Sequence, residues 1–171
     1  VQTTAGVMKS AAAQEMIYLS EGDNTITVTN TGEHKILLNR VFFDYSKGTE
    51  IPLKSFDEQS STYDKNQATA SWVHMYAGGK LVYNISVAEG GKYKLCLNTV
   101  NTYADYTYTV SLDGTAQASK KISKNANLTW AQGSDNFVAD LDITVGNHTL
   151  TLDLSGSESN LFSVILYKIS E

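Results

Sequence analysis

The sequence is dominated by short runs in which apolar and polar residues alternate, and this pattern restricts the fold more than any other feature. Typical runs are "NTITVTN" from Asn24, "RVFFDYS" from Arg40, "KLVYNISVA" from Lys80, "KYKLCLNTV" from Lys92 and "NHTLTLDLS" from Asn147. Alternation with a period of two puts every second side chain on one face of a strand, and these runs are rich in β-branched and aromatic residues. A helical period is almost absent. The pattern predicts an all-β chain of many short strands, folded as a sandwich or a barrel.

Glycine-containing turns separate the predicted strands. They include "AGG" at 77–79, "EGG" at 89–91, "DG" at 113–114 and "VGN" at 145–147. Glycine supplies the positive φ angles that tight turns require, and such turns join neighbouring strands that run in opposite directions. We therefore expect antiparallel sheets.

The charge and hydropathy of the chain exclude two classes of partner. Thirteen Lys and Arg residues stand against 18 Asp and Glu residues, which gives a formal net charge of -5. Since no basic cluster is present, we predict binding neither to nucleic acid nor to an anionic membrane surface. The apolar runs are also far shorter than the roughly 20 residues that a membrane-spanning helix needs.

The length of 171 residues fits a single domain. Within it, residues 21–46 resemble residues 145–170, because each segment has a glycine turn, an alternating strand, a polar loop and a second alternating strand. Residues 1–50 are then either an integral duplicated three-strand unit of a sandwich spanning 1–171, or the tail of a preceding module. We favour the first interpretation, since an isolated three-strand piece would leave an apolar face uncovered.

A characteristic order of short segments runs from about Ile51 to the C-terminus. The segments are "SWVHMYAGGKLVYNISV", "EGGKYKLCLN", "YTVSLDG", "LDITVGNHTLTL" and "SNLFSVILYKI". In this order and spacing they resemble the jelly-roll carbohydrate-binding modules of families 6, 35 and 36. The resemblance covers residues 51–171. It implies an antiparallel two-sheet β-sandwich that binds sugar without cleaving it, in a secreted or cell-surface-attached extracellular protein.

The same resemblance implies a set of sugar-binding residues. Trp72 and Trp130 correspond to two aromatic rings that hold the sugar in that family, and Asn160 corresponds to the asparagine that enters the last strand. This chemistry is reasonable, because the apolar C–H face of a pyranose packs on an indole while its hydroxyls need amide partners. Tyr103 and Tyr106, in the loop "NTYADY", are further candidates for stacking.

A tryptophan in a β-sandwich is also an ordinary core residue, so these assignments have a structural alternative. A module that only separates other domains or mediates adhesion would bury both indole rings. A sugar-binding module would leave at least one ring at the border of a cleft, next to an asparagine.

Many modules of these families hold a structural calcium ion, with a Glu on the first strand and an Asp on the last. This sequence departs from that pattern, because Ser163 stands where the Asp is expected. Asp57, Glu58 and Asp153 are the remaining candidates for calcium ligands, since a hard cation requires several carboxylate and carbonyl oxygens. Calcium is the only cofactor that the resemblance suggests.

We expect no catalysis from this chain. It contains no G-x-S-x-G segment, no H-E-x-x-H segment and no phosphate-binding glycine loop. Asp140 and Asp142 would face the same side of one strand, which would bring the two carboxylates close together, as in a glycosidase. Because no aromatic cleft adjoins them, we interpret them as part of a solvated strand face.

The predicted function is a non-catalytic carbohydrate-binding module that targets an appended extracellular polysaccharide-degrading enzyme to its substrate. Its expected partners are a polysaccharide or oligosaccharide and covalently linked catalytic or scaffold modules. The alternative is a structural or adhesive β-sandwich domain of a bacterial surface or scaffold protein.

Overall fold

The computed structural model of the chain describes residues 48–170, together with Thr25, Thr27 and Thr29. The chain divides into two units, Val1–Asp44 and Tyr45–Glu171, and every described strand belongs to the second. The strands predicted from Asn24 and Arg40, and the proposed duplicated unit within residues 1–50, lie outside the described residues apart from these three threonines and residues 48–50. The two interpretations of residues 1–50 therefore stay predictions.

The described residues form nine β-strands and contain no helix, and thus no helix long and apolar enough to cross a membrane. The strands are β1 (Thr49–Ile51), β2 (Val73–Met75), β3 (Lys80–Val87), β4 (Gly91–Val100), β5 (Tyr106–Leu112), β6 (Thr115–Ile122), β7 (Ser134–Ile143), β8 (Gly146–Ser155) and β9 (Ser159–Ser170).

The strands make two sheets in which every pairing is antiparallel. The first sheet has five strands in the order β1-β9-β4-β7, with β2 also paired to β9. The second has four strands in the order β3-β8-β5-β6. The prediction of two antiparallel sheets is confirmed.

The hydrophobic core is formed by the alternating buried positions of these strands. In β5 the buried residues are Tyr106, Tyr108, Val110 and Leu112, and the residues between them are partly exposed. The same pattern in β8 buries Leu150, Leu152 and Leu154. Each fully buried side chain of this size contributes roughly 1.5–3 kcal/mol of hydrophobic stabilisation.

The β5–β6 hairpin has a two-residue turn made by Asp113 and Gly114, whose φ angles are 51° and 76°. Two successive positive φ angles define a type I′ turn, for which Asp-Gly is a preferred sequence. Strand β6 itself is absent from the sequence-based prediction. Its segment "TAQASKKI" is largely exposed and buries only Ile122, so it lacks the alternation that identifies the other strands.

A polar cluster connects this turn to the start of β8. Asp113 Oδ2 lies 2.7 Å from His148 Nδ1, and Asp113 Oδ1 accepts a hydrogen bond of 2.8 Å from the Thr149 amide. His148 Nε2 lies 3.0 Å from the Thr144 carbonyl oxygen. Because both ring nitrogens face acceptors, the protonated ring is favoured, and the hydrogen bond to Asp113 raises the pKa of His148. The same bond, with that from Thr149, lowers the pKa of Asp113.

We expect this cluster to give the unfolding free energy a defined pH dependence. The contribution of His148 is complete below its unfolded pKa of 6.5 and is lost as the pH rises through its raised folded value. That of Asp113 is complete above 3.8 and is lost as the pH falls through its lowered folded value. The melting-temperature difference between wild type and His148→Gln should therefore be largest at about pH 5 and shrink on both sides. Thermal unfolding from about pH 3 to about pH 9 measures it, and a constant difference would contradict the assignment.

Candidate functional site

A depression lies where β2 pairs with the start of β9, next to the β1–β2 and β6–β7 loops. Its volume is about 360 Å³, which is within the usual range for small-ligand pockets. The lining residues are Gln67, Trp72, His74, Tyr76, Trp130, Ala131, Glu158 and Asn160. We call this feature the aromatic depression.

Strand alternation places three of these side chains on one face. Trp72, His74 and Tyr76 line the aromatic depression, whereas the intervening Val73 and Met75 are fully buried in the core. The alternating order of the segment "SWVHMY" accounts for this shared face. The structure assigns the core to the opposite face.

Two glycines shape the turn after β2, in which the amide of Gly79 donates a hydrogen bond of 2.8 Å to the carbonyl of Tyr76. Gly78 has a φ angle of 85°, which is unfavourable for other residues. At Gly79 a Cβ atom would lie 2.8 Å from the carbonyl oxygen of Tyr76 and 3.1 Å from that of Thr62. The predicted "AGG" turn therefore holds the end of β2, and with it Tyr76, against the preceding loop.

Asn160 connects two walls of the aromatic depression. Its Nδ2 donates a hydrogen bond of 2.7 Å to the backbone carbonyl of Trp130, and its Oδ1 lies 2.7 Å from Nδ1 of His74. Because the amide hydrogens face the carbonyl, Oδ1 faces the ring and Nδ1 of His74 carries the hydrogen between them. The side chain of Asn160 is buried and thus fixes the Trp130 loop relative to β2.

The imidazole of His74 lies among the aromatic rings. It meets Tyr76 edge to face at a centroid distance of 4.8 Å and Trp130 at 5.9 Å. The hydroxyl of Tyr76 donates to Asp64 Oδ2 at 3.1 Å, and this hydrogen bond raises the pKa of Tyr76. Asp64 in turn donates its backbone N–H to the His74 carbonyl at 3.0 Å, so the β1–β2 loop is attached directly to β2.

Local hydrogen bonds also hold the Trp72 segment. The amide of Trp72 donates to Thr69 Oγ1 at 3.1 Å, and the amide of Thr69 donates to the Trp72 carbonyl at 2.9 Å. The indole of Trp72 packs at a tilt against Phe162, with centroids 6.3 Å apart. Both tryptophans of the chain are half-buried.

Asn101 joins three loops around the aromatic depression, namely the β4–β5 loop, the β6–β7 loop and the β8–β9 turn. The residue is 1% exposed. Its Nδ2 donates to Ser157 Oγ at 3.0 Å and to the Glu158 carbonyl at 2.6 Å. Its Oδ1 accepts the amide hydrogens of Tyr103 and Ala104, at 2.7 and 2.9 Å. Its backbone carbonyl accepts from Asn125 at 2.9 Å, in the loop that carries Trp130.

The predicted sugar-binding residues fall into two groups. Trp72, Trp130 and Asn160 all line the aromatic depression, and Tyr103, 70% exposed, packs against Trp130 with centroids 5.6 Å apart. The prediction for Tyr106 is wrong. This residue begins β5 rather than lying in the loop, and its side chain is 2% exposed in the core, so it cannot stack on a ligand.

The three candidate calcium ligands are not brought together. In residues 48–170 no group of three or more His, Cys, Asp or Glu side chains could hold a metal ion. Asp57 instead accepts hydrogen bonds from the Gln59 amide and the Ser60 hydroxyl, which lower its pKa. Asp153 lies on β8 in the second sheet, opposite Lys80. The predicted site at Asp57, Glu58 and Asp153 is therefore not formed.

The carboxylate pair considered for catalysis lies on β7. Asp140 forms an ion pair of 3.1 Å with Lys94, and its side chain is 75% exposed. Neither Asp140 nor Asp142 lines the aromatic depression.

Two functional candidates are missing from the sequence-based site, His74 and Glu158. Nε2 of His74 lies 3.4 Å from Oε2 of Glu158. A signal for Glu158 is present in the sequence, since it precedes Asn160 by two positions and so lies on the same face of an extended segment.

Residues 58–164 match the family model of the carbohydrate binding module (family 35). The chain belongs to this family. The resemblance to this group of modules is thereby confirmed, and the two sheets form its jelly-roll sandwich. Family 35 modules bind carbohydrate and are generally non-catalytic. They are typical of secreted carbohydrate-active enzymes and occur appended to glycoside hydrolases.

Solved structures share the fold of this family 35 module at low sequence identity. A family 35 module from Clostridium thermocellum is 13% identical, with a TM-score of 0.55 and coverage of 72% of this chain and 100% of that one. The Podospora anserina GH26-CBM35 β-(1,4)-mannanase is 14% identical, with a TM-score of 0.56 and coverage of 72% and 28%.

A Paenibacillus sp. cycloisomaltooligosaccharide glucanotransferase, solved with cycloisomaltoheptaose, is 20% identical, with a TM-score of 0.55 and coverage of 69% and 18%. The chain thus spans less than a third of either enzyme. Among curated proteins no sequence matches the chain.

Proposed function

We propose that the aromatic depression binds a sugar unit of a polysaccharide, and that the module thereby holds an appended polysaccharide-degrading enzyme on its substrate. The observation that carries this proposal is the convergence of Trp72, Trp130 and Asn160 on one depression. These residues come from three separate parts of the chain, and nothing in the packing of a sandwich core requires them to meet at its surface.

The surroundings fit the chemistry of a pyranose. Indole rings present apolar faces to the C–H groups of the sugar, while its hydroxyls need hydrogen-bonding partners. Nε2 of His74 and the carboxylate of Glu158 supply hydrogen-bonding groups beside the rings. The amide of Asn160 retains one further hydrogen and one further lone pair, in addition to the bonds that it makes to Trp130 and His74.

We place Tyr103 at the rim of the same site. Its exposed ring continues the aromatic surface from Trp130, and its backbone is fixed by Asn101. It would contact a sugar unit next to the one in the depression. A shallow site of this kind gives modest affinity for one sugar chain, which covalent linkage to an enzyme with its own substrate contacts would raise.

A spacer or adhesive domain explains the site less well. Such a domain would bury both indoles in the core, whereas both are half-buried and line a surface depression beside Asn160. Secretion of the protein, and linkage to a catalytic module, belong to the same proposal as sugar binding.

Affinity electrophoresis in gels containing soluble polysaccharides, backed by tryptophan fluorescence titration, tests the proposal. We expect at least one polysaccharide to retard the wild type. The variant Trp72→Ala should bind it roughly thirtyfold more weakly, because a central aromatic contact is typically worth about 2 kcal/mol.

Phe137→Ala is the matched control, since Phe137 is 42% exposed and does not line the depression. Its affinity should equal that of the wild type. Absence of retardation by every polysaccharide in a panel of mannans, xylans, glucans and galactans would overturn the proposed function. So would an equal loss of affinity in the two variants.

A further inference from the structure

We infer that Glu158 makes the aromatic depression selective for uncharged sugars and excludes uronic acids. This inference rests on the proposed function and specifies its ligand class.

The lining of the aromatic depression contains one carboxylate and, apart from the imidazole of His74, no basic group. Of its eight residues, Glu158 is the one acidic side chain, and neither Lys nor Arg is among them. The Glu158 side chain is 37% exposed. A second carboxylate, Asp64, lies behind Tyr76 and accepts the hydrogen bond of its hydroxyl. A ligand carboxylate bound against Glu158 would meet a charge of its own sign at a distance shorter than the Debye length of about 8 Å at physiological ionic strength.

The hydrogen-bonding groups next to Glu158 point to the same ligand class. The hydrogen on Nδ1 of His74 is used by Asn160, so in the neutral ring Nε2 is an acceptor, 3.4 Å from Oε2 of Glu158. Two adjacent acceptors require a ligand that brings donors. The C6 hydroxymethyl group of a neutral hexose adds an O–H donor to those of the ring hydroxyls, whereas the C6 carboxylate of a uronic acid adds none.

The inference can be tested with pairs of polymers that differ only in their C6 groups. Galactomannan, pullulan and mixed-linkage β-glucan are each used untreated and after oxidation of part of their C6 hydroxymethyl groups to carboxylates. Affinity electrophoresis at about pH 8 and physiological ionic strength compares each pair. For the polymer that retards the wild type, we expect the oxidised form to bind at least tenfold more weakly. In Glu158→Gln, which keeps the shape of the side chain, the two forms should bind within about threefold of each other.

A matched control separates a local effect from the net charge of the chain, which is formally -5. Glu50→Gln removes one negative charge at an exposed position of β1 that does not line the depression. We expect this variant to discriminate between the two polymer forms as strongly as the wild type.

The other outcomes overturn the inference in distinguishable ways. Equal recovery of oxidised-polymer binding in Glu50→Gln and Glu158→Gln would assign the discrimination to overall charge. Oxidised polymer that binds the wild type as tightly as the untreated form would exclude charge selection while leaving sugar binding intact. Failure of all six polymers to bind would overturn the inference, and the wider panel of mannans, xylans, glucans and galactans would then decide the proposed function separately.

Discussion

Replacing Asn160 with alanine should weaken polysaccharide binding at least tenfold and lower the free energy of unfolding by about 2 kcal/mol. The substitution removes both hydrogen bonds that join Trp130 to His74, of 2.7 Å each. The carbonyl of Trp130 and Nδ1 of His74 would then lose their partner in a site that is largely desolvated, and each such loss costs about 1–3 kcal/mol before water compensates. The Trp130 loop would also lose its attachment to β2. Affinity electrophoresis and urea denaturation measure the two effects.

Asn127→Ala serves as the control for this prediction. Asn127 is exposed on the same β6–β7 loop, and it does not line the aromatic depression. Its removal should leave both quantities within error of the wild type. Wild-type affinity in a folded Asn160→Ala variant would show that the amide does not organise the site.

Replacing Asn101 with alanine should destabilise the module by about 3 kcal/mol and expose Trp130 more fully to solvent. The side chain makes four hydrogen bonds while almost completely buried, and they attach the Tyr103 loop to the turn that carries Glu158. Urea denaturation measures the loss of stability. In a Trp72→Phe background the remaining indole is Trp130, so acrylamide quenching of its fluorescence reports the loosening of its loop.

Asn125→Ala is the matched variant for Asn101→Ala. The side-chain oxygen of Asn125 accepts one local bond, from the Asn127 amide at 3.1 Å, and its backbone bond to Asn101 does not depend on the side chain. We expect a change below about 1 kcal/mol and unaltered quenching. Equal effects of the two substitutions would refute the role assigned to Asn101.

The fold could be predicted from the sequence because apolar and polar residues alternate within each strand that has a buried face. The runs from Lys80, Lys92 and Asn147 correspond to β3, β4 and β8 within one residue at their starts. Strand β6 could not be found this way, since an edge strand that buries only Ile122 depends on its pairing with β5 rather than on its own apolar residues.

The site could be predicted only in part, for a different physical reason. A resemblance in segment order locates Trp72, Trp130 and Asn160, but the hydrogen bonds of Asn160 connect it to His74 and Trp130, which are 86 and 30 positions away. Whether Tyr106 faces a ligand or the core depends on where β5 begins, and a shift of one residue reverses every side chain of a strand. The partnership of His74 and Glu158 likewise requires the register between β2 and β9, in which His74 stands opposite Asn160.

The position of β9 has a consequence for how the module folds during its synthesis. This strand is the most C-terminal of the described strands, yet it pairs with β1, β2 and β4, and Thr49 is matched with Leu166. Contacts between such distant residues make folding slow, on the order of milliseconds to seconds. During synthesis the earlier strands must wait for residues 159–170 to leave the ribosome before the first sheet can close. Translation products that stop short of this strand should therefore be inert toward polysaccharide, and capture on a polysaccharide column would separate complete modules from truncated ones.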